Sequence, residues 1–296
     1  MASLPDTLCY LNGDYLPLNQ AKVSVMDRGF VFGDGAYEVI PVYDRRMFRF
    51  DEHLARLARS LGKLDIEIDL ERETWLGRLR KLIAAFPSGD QLLYIQVTRG
   101  VAPRSLVAPP GLEPTVFAST SERVALTPAQ RAQGLSCVTA RDFRWQRGDI
   151  KSTSLLGSVL ARRVSADQGA DETLLLRDDE PAGPWLTEGA SSNAWIVQEG
   201  ALLGPTPGPR VLEGVRVELL RELCEECAIA FNLRPVSEAD LRAADEVLLS
   251  SAGKEIVSVT RLDGEAVGHG ALRGRPGPVY ARLHEAYQRA IESQSL

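Results

Sequence analysis

The chain has 296 residues, with 34 basic against 40 acidic side chains, a net charge of −6 and 44% hydrophobic residues. That length accommodates one large or two ordinary domains, and mild acidity without long blocks of either sign argues against nucleic acid or an anionic membrane as a partner. No apolar run reaches the ~18 to 20 residues of a membrane span, and the start, MASLPDTLCYLNGDYL, lacks the basic head and apolar core of a signal peptide, so a cytoplasmic location is expected. Four cysteines in a chain this long do not suggest a disulfide framework. Cys224 and Cys227 share a face of a helical pattern with no matching second pair of ligands, and read as plain helix thiols rather than a metal site.

In chain order, residues 8–18 alternate around Asn12-Gly13 and predict a β-hairpin. Ala36 to Tyr43 and Met47 to Phe50 read as strands on either side of the turn Asp44-Arg45-Arg46. Gly33-x-Gly35 lacks the third glycine of a dinucleotide fingerprint and leads into a strand, which excludes a Rossmann reading. Asp51 is expected to cap a helix with Leu54, Leu57, Ala58 and Leu61 on its apolar face and with His53 and Arg56 off it. A second helix runs from about Arg72 to Phe86, ended by Pro87-Ser88-Gly89, then a strand from Gln91 to Arg99, a long loop from Gly100 to Pro114, and a strand from Thr115 to Thr120. Residues 1–120 therefore form an α+β domain, 121–127 a connection, and 128–296 a second domain. The latter carries strands over Leu135–Trp145, Glu172–Leu176, Ala194–Val197 and Glu246–Leu249, helices after Ser152, Gly214 and Ser237, a hairpin turning at Asp263-Gly264, and an amphipathic helix over Pro278–Ile291.

Three stretches could carry chemistry. Only five of the basic residues are lysines: Lys22, Lys63, Lys81, Lys151 and Lys254. Lysine can lose its proton and attack a carbonyl, which a guanidinium cannot do. Lys151 is set apart by its place between a strand end and a helix start, although pattern alone leaves an ordinary surface lysine open. Thr187-Glu188-Gly189-Ala190-Ser191-Ser192-Asn193 is either a generous turn or a small-residue bed for a flat ligand, with Glu188 aimed at it. An acid and a lysine together suit a pyridine aldehyde. Gly214 opens a helix whose first N–H groups can bind an anion, as any helix start can.

Taken together, DRGFVFGDGAYEV, FDEHLARL, QVTRG, APR, DIKSTSLLGSVLA, TEGASSN and the Leu-x-Gly-Val helix start resemble the fold-type IV pyridoxal-phosphate enzymes, and most of all the D-amino acid aminotransferases among them. The resemblance spans most of the chain. It implies a smaller N-terminal α/β sandwich and a larger, β-barrel-like C-terminal domain with flanking helices, binding pyridoxal 5′-phosphate. Lys151 matches the Schiff-base lysine, Glu188 the acid paired with the pyridine nitrogen, and Arg56 a phosphate-binding arginine. Gly214, Val215 and Arg216 match the helix-end phosphate cup, Leu212 the residue packed on the ring, Ser191, Ser192 and Asn193 the polar wall beside it, and Ser251 and Ala252 a further phosphate-side turn. The implied partners are amino and 2-oxo acids and a second copy of the chain, with the Arg104 loop reaching into the neighbouring subunit.

The chain departs from that pattern where the substrate carboxylate is gripped. Phe30 stands for a tyrosine and Leu106 for a histidine, leaving Arg104 as the remaining contact, and two phosphate-side threonines are replaced by Arg216 and Ala252. A transaminase with altered or relaxed substrate choice is the reading this favours. Aminodeoxychorismate lyase-like chemistry is the nearest alternative. Branched-chain aminotransferases are further off, tending to an EGxGxN-type stretch where this chain has EGASSN. A cofactor-binding protein without catalysis, or an α+β protein without cofactor, completes the alternatives.

Overall fold

The computed structural model describes residues 5–178 and 183–296. Two compact units emerge: the chain up to Val124 with Ile150–Leu155 and Ser293–Leu296, and Ala125–Asp149 with Leu156–Glu292. The two short outlying segments, both expected in the second domain, join the first by backbone pairing. Ser152 bridges to Ala36, Ser295 bridges to Phe48, and Met47 and Leu296 exchange N–H···O bonds at 3.0 Å.

The first unit is built on one antiparallel sheet. Its strands are β1 (Leu8–Leu11), β2 (Asp14–Pro17), β3 (Gly35–Tyr43), β4 (Arg46–Met47), β5 (Gln91–Thr98) and β6 (Thr115–Glu122), in the order β2-β1-β6-β5-β3-β4. The β1–β2 turn needs two positive φ angles, which Asn12 (49°) and Gly13 (106°) supply. Along β5 the side chains alternate, with Leu93, Ile95 and Val97 buried. They meet Leu57 and Leu61 of α2 (Phe50–Gly62) and Trp75, Leu79 and Leu82 of α3 (Arg72–Ala85) in one core. A third helix, α1 (Arg28–Phe32), precedes β3, capped by the Asp27 carboxylate accepting from the Gly29 N–H.

Several expectations shift here. The strand expected over Met47–Phe50 is the two-residue β4, because Arg49 turns into the left-handed region (φ 55°) and starts α2 at Phe50. Asp51 therefore lies in the first turn, where it pairs with Arg72 at 2.6 Å, and is not the cap. Ala58 is exposed, whereas His53 and Arg56, expected off the apolar stripe, are buried, because Glu38 of β3 receives both.

The second unit opens with α4 (Pro128–Gln133), β7 (Leu135–Arg141), α5 (Leu156–Asp167), β8 (Glu172–Arg177), β9 (Trp185–Gly189), β10 (Asn193–Gln198) and β11 (Ala201–Gly204). It continues with α6 (Val215–Glu226), β12 (Phe231–Leu233), α7 (Glu238–Arg242), β13 (Glu246–Ser251), β14 (Glu255–Leu262), β15 (Glu265–Ala266) and α8 (Pro278–Ser293). The sheet order is β12-β11-β10-β13-β14-β7-β8-β9. Strand β9 ends that path, yet the chain passes from it straight into β10 by a tight turn in which the Gly189 N–H donates to Ser192 C=O at 2.7 Å. An edge strand that touches an interior one forces the sheet to curl on itself, which gives the barrel-like form expected. The strand expected over Leu135–Trp145 ends at Arg141 and α5 begins only at Leu156, so Lys151 stands at neither a strand end nor a helix start. Helix α8 is capped by a buried acid from β13, Glu246, whose carboxylate accepts from the Val279 and Tyr280 N–H groups at 2.8 and 2.9 Å.

Leu93, fully buried in the middle of β5, should be a strong test of the first unit's core. Leu93→Ala is expected to cost about 2–5 kcal/mol in chemical denaturation, with Leu92→Ala, half-buried on the other face of the strand, costing clearly less.

Candidate active site

Lys151 is delivered by backbone pairing. The segment that carries it lies along β3, with the Tyr37 N–H donating to Lys151 C=O at 3.0 Å and the Thr153 N–H to Gly35 C=O at 2.9 Å. The Lys151 N–H donates to Ser60 Oγ of α2 at 3.3 Å. At the other end of the side chain, Nζ donates to the Tyr37 hydroxyl at 3.1 Å and lies 4.2 Å from the centre of the Tyr37 ring, itself stacked on Tyr94. Among the described residues, the partners of Nζ are thus a phenol and a ring face, not a carboxylate.

In the same unit, Arg56 presents its Nε–Nη2 edge to Glu38, at 2.9 and 2.5 Å, and His53 Nδ1 lies 2.9 Å from the same carboxylate. Burial opposes ionisation of Glu38, but the charges and hydrogen bonds of Arg56 and His53 overcome it and hold its carboxyl far below the usual range. The fork geometry leaves Nη1 of Arg56 outside the pair.

The substrate-side residues of the resemblance also lie in this unit. Phe30 on α1 is 71% exposed and Leu106 84%. Arg104 is exposed, its guanidinium 5.6 Å from the Phe32 ring. They are linked by a buried residue, Arg28, which donates to Ser105 C=O at 2.6 Å and Leu106 C=O at 3.1 Å while pairing with Asp34 at 2.8 Å.

The second unit carries Glu188, buried near the end of β9. Its Oε1 accepts from Arg144 Nη1 at 2.7 Å, and its Oε2 from the Leu212 N–H at 3.2 Å and Asn193 Nδ2 at 3.4 Å. Burial pushes the Glu188 carboxyl up, against the opposing pull of Arg144. Arg144 is fixed in turn by Asp142, at 3.0 Å from Nε and 2.9 Å from Nη2, and Asp142 also accepts from the Thr187 hydroxyl at 2.8 Å and lies 3.4 Å from Arg177. Desolvation works against Asp142 as an anion, but these partners keep its carboxyl below the ordinary range.

Asn193 Nδ2 also donates to Leu212 C=O at 3.1 Å, so the Glu188 strand, the Leu212 turn and the start of α6 are tied together. Gly214 is the N-cap of α6 without a side-chain cap, and a Cβ placed there would collide with Asn193 Oδ1. The first-turn N–H donors at Val215 and Arg216 are therefore not capped by a side chain from Gly214. The Arg216 side chain does not turn to solvent: it is 3% exposed and donates from Nε to the Tyr287 hydroxyl at 3.2 Å. Ser191 and Ser192 donate to Glu172 at 2.6 and 3.3 Å. Ser251 accepts from the Lys254 N–H at 3.2 Å in the turn that also holds half-buried Ala252.

The structure thus brings Lys151 to Tyr37 and Ser60 in one unit, and Glu188, Asn193 and Leu212 together in the other. Tyr37, Glu38, His53, Arg28, Asp142 and Arg144 are residues that sequence reasoning passed over. Three left a signal: Glu38 is a lone acid inside the apolar run AYEVIPVY, and Asp142-x-Arg144 puts opposite charges two apart at the end of a buried strand.

A family model, amino-transferase class IV, matches residues 35–262. The chain is 36% identical over 292 residues to the D-alanine aminotransferase of Staphylococcus haemolyticus, covering 98% of this chain and 99% of that one. Among solved structures it is similar in fold to the branched-chain amino acid aminotransferase of Escherichia coli (TM-score 0.86, 24% identity, 96% of this chain and 94% of that). It is similar likewise to a hypothetical aminotransferase of Mycobacterium tuberculosis in its PLP-bound form (TM-score 0.79, 23% identity, 97% and 99%).

Glu38→Gln leaves Arg56 buried without its countercharge, and is expected to cost about 3–5 kcal/mol at neutral pH. A depressed carboxyl contributes stability above its unfolded value of about 4.3 and loses it only as pH falls through the folded value. Denaturation curves should therefore show the gap between wild type and variant persisting into mildly acid solution and closing only in strong acid.

Proposed function

The chain belongs to the class IV aminotransferases, and from that premise we propose that it moves the amino group of a D-amino acid to a 2-oxo acid using pyridoxal 5′-phosphate. The observation that carries this reading is the setting of Lys151: an amine fixed through its backbone to β3, with a phenol and not a carboxylate as its partner. The chain's donors fit the cofactor's polar ends. Glu188 Oε2 has only two long contacts, leaving acceptor capacity for a ring N–H. Gly214 keeps the α6 N-terminus clear of a Cβ, suiting it to a phosphate, and the Nη1 of Arg56, outside its pair with Glu38, suits an anionic group.

When bound, the pyridine aldehyde supplies an electron sink for the electron pair left as the substrate Cα loses its proton. Lys151 Nζ would hold the cofactor as its nucleophile and would serve as the base that takes the substrate Cα proton and returns it. Tyr37 orients Nζ through its hydroxyl. Glu188, tied to Leu212 and Asn193, would accept from the ring nitrogen when the group is bound. Ser191 and Ser192 stiffen the β9–β10 turn through Glu172, and Ser251 and Ala252 shape a second small-residue turn on the phosphate side.

Substrate choice rests on Phe30, Arg104 and Leu106. With apolar side chains at two of these positions, Arg104 grips the carboxylate alone, and donors with a weak or absent carboxylate contact compete better. A homodimer, with the exposed Phe30 and Leu106 covered by the second copy, belongs to the same proposal.

Mixing the holoenzyme with D-alanine should bleach its aldehyde-derived absorbance, and a 2-oxo acid should restore it. Conversion by branched L-amino acids with none by D-alanine or D-glutamate would sink the D-amino acid reading. Lys151→Ala should lose both transamination and the borohydride-fixed adduct that peptide mapping places on Lys151. Introducing Phe30→Tyr and Leu106→His together should raise kcat/KM for D-glutamate by about 100-fold or more, since each charge-assisted bond is worth about 1.5–3 kcal/mol and about 1.4 kcal/mol is tenfold.

A further inference from the structure

Glu188 alone does not determine where a proton shared with a ring nitrogen rests. Burial makes its carboxylate more basic, and a buried, basic carboxylate draws the proton to itself, leaving a neutral acid beside a neutral ring. Something must oppose that. The groups facing Glu188 are the Leu212 N–H and Asn193 amide on Oε2 and the Arg144 guanidinium on Oε1, with Asp142 behind the guanidinium. Only Arg144 brings positive charge, and it is 2.7 Å from Oε1.

We propose that Arg144 is a positioning residue that acts through Glu188, its fixed charge keeping the shared proton on the ligand's ring nitrogen and off the carboxylate. No net transfer is required: one proton lies between Glu188 Oε2 and the ring nitrogen, and a cation in contact with the carboxylate makes the carboxylate the poorer resting place. The geometry is specific. Arg144 donates from Nη1 to Glu188 and from Nε and Nη2 to Asp142, so one flat guanidinium joins the two carboxylates. Asp142 is fully buried at its side chain and is held on its other sides by the Thr187 hydroxyl, one residue before Glu188, and by Arg177. Two acids against Arg144 and Arg177 leave the cluster near neutral, so burying it is tolerable, while Arg144 remains nearer to Glu188 than Arg177 is to any atom in the cluster. Gly157 fits this arrangement: a Cβ there would meet Arg144 Cγ at 3.0 Å, so the start of α5 leaves room for the arginine stem.

The inference rests on the pyridoxal-phosphate reading, and the test separates the two. The wild-type protein is reconstituted with the cofactor carrying 15N in its ring, and the ring nitrogen is followed by NMR. Failure of the wild type to form a borohydride-fixed adduct on Lys151 overturns the cofactor reading itself. With the adduct present, the wild-type ring nitrogen and that of Arg144→Lys, which keeps the charge, are expected at the protonated position. Arg144→Gln is expected to move it towards the neutral pyridine position and to slow the D-alanine half-reaction by roughly tenfold or more, with KM changed less. Arg144→His covers the case in which the glutamine variant does not fold. Its charge is lost between about pH 5 and 8, so its ring-nitrogen signal should shift with pH across that range while the wild type's does not. A ring nitrogen that stays protonated in Arg144→Gln, or a pH-independent signal in Arg144→His, overturns the role given to Arg144 and leaves the cofactor reading standing.

Discussion

The pairing of residues 151–153 with β3 is the contact on which the rest of the first unit's chemistry depends. A lysine side chain carries about 2 kcal/mol of rotamer entropy, and a catalytic amine on a free loop would add backbone freedom to that. Here the backbone is held on both sides of Lys151, and the sequence supplies the means. Thr153 and Ser154 donate their hydroxyls to Gly33 C=O at 2.9 and 3.1 Å, so the serine-and-threonine run after the lysine is matched to the glycines before β3. Gly35 admits no side chain, because a Cβ would meet the Val97 carbonyl oxygen at 2.5 Å and Thr98 Cα at 3.0 Å. Two motifs far apart in sequence, FGDG and DIKSTS, are thus the two sides of one joint.

A second regularity concerns charge. Several buried acids in both units are answered by arginine, Glu38 by Arg56, Asp142 and Glu188 by Arg144 and Glu255 by Arg131, as is the half-buried Asp34 by Arg28 and Arg99. Arginine suits this use because its planar fork makes two parallel bonds to a carboxylate and is less strongly hydrated than an ammonium. With five lysines in the chain, an amine among neutral partners is chemically set apart from the cations around it.

How much of this was legible in the sequence follows from the range of the interactions. The Asn12-Gly13 hairpin, helix α3, the Asp263-Gly264 turn and the inward face of α8 rest on local periodicity and turn chemistry, and they stand where pattern places them. The environment of Lys151 does not rest on local pattern. Periodicity reads the segment as a strand end and helix start, whereas its course is set by register against β3, more than a hundred residues earlier. The burial of His53 and Arg56 is missed for the same reason: a helix stripe counts apolar residues, and the acid that buries these two sits on a strand. Arg144 lies outside the motifs that suggest a cofactor because its role is to act on Glu188.

The departures from the family pattern fall where the backbone is secured independently of the side chain. Arg28 holds the loop through the carbonyls of Ser105 and Leu106, and a carbonyl offers the same acceptor whatever residue carries it. Histidine or leucine at 106 would leave those two bonds intact, and Phe30 projects from α1 with 71% of its surface exposed, so its change from tyrosine costs the core nothing. Glu188 and Gly214 have no such latitude, since each is fixed by contacts that its own side chain, or lack of one, makes possible. On the proposed function, a change at position 30 or 106 therefore alters a substrate contact without disturbing the frame that holds Glu188 and Gly214.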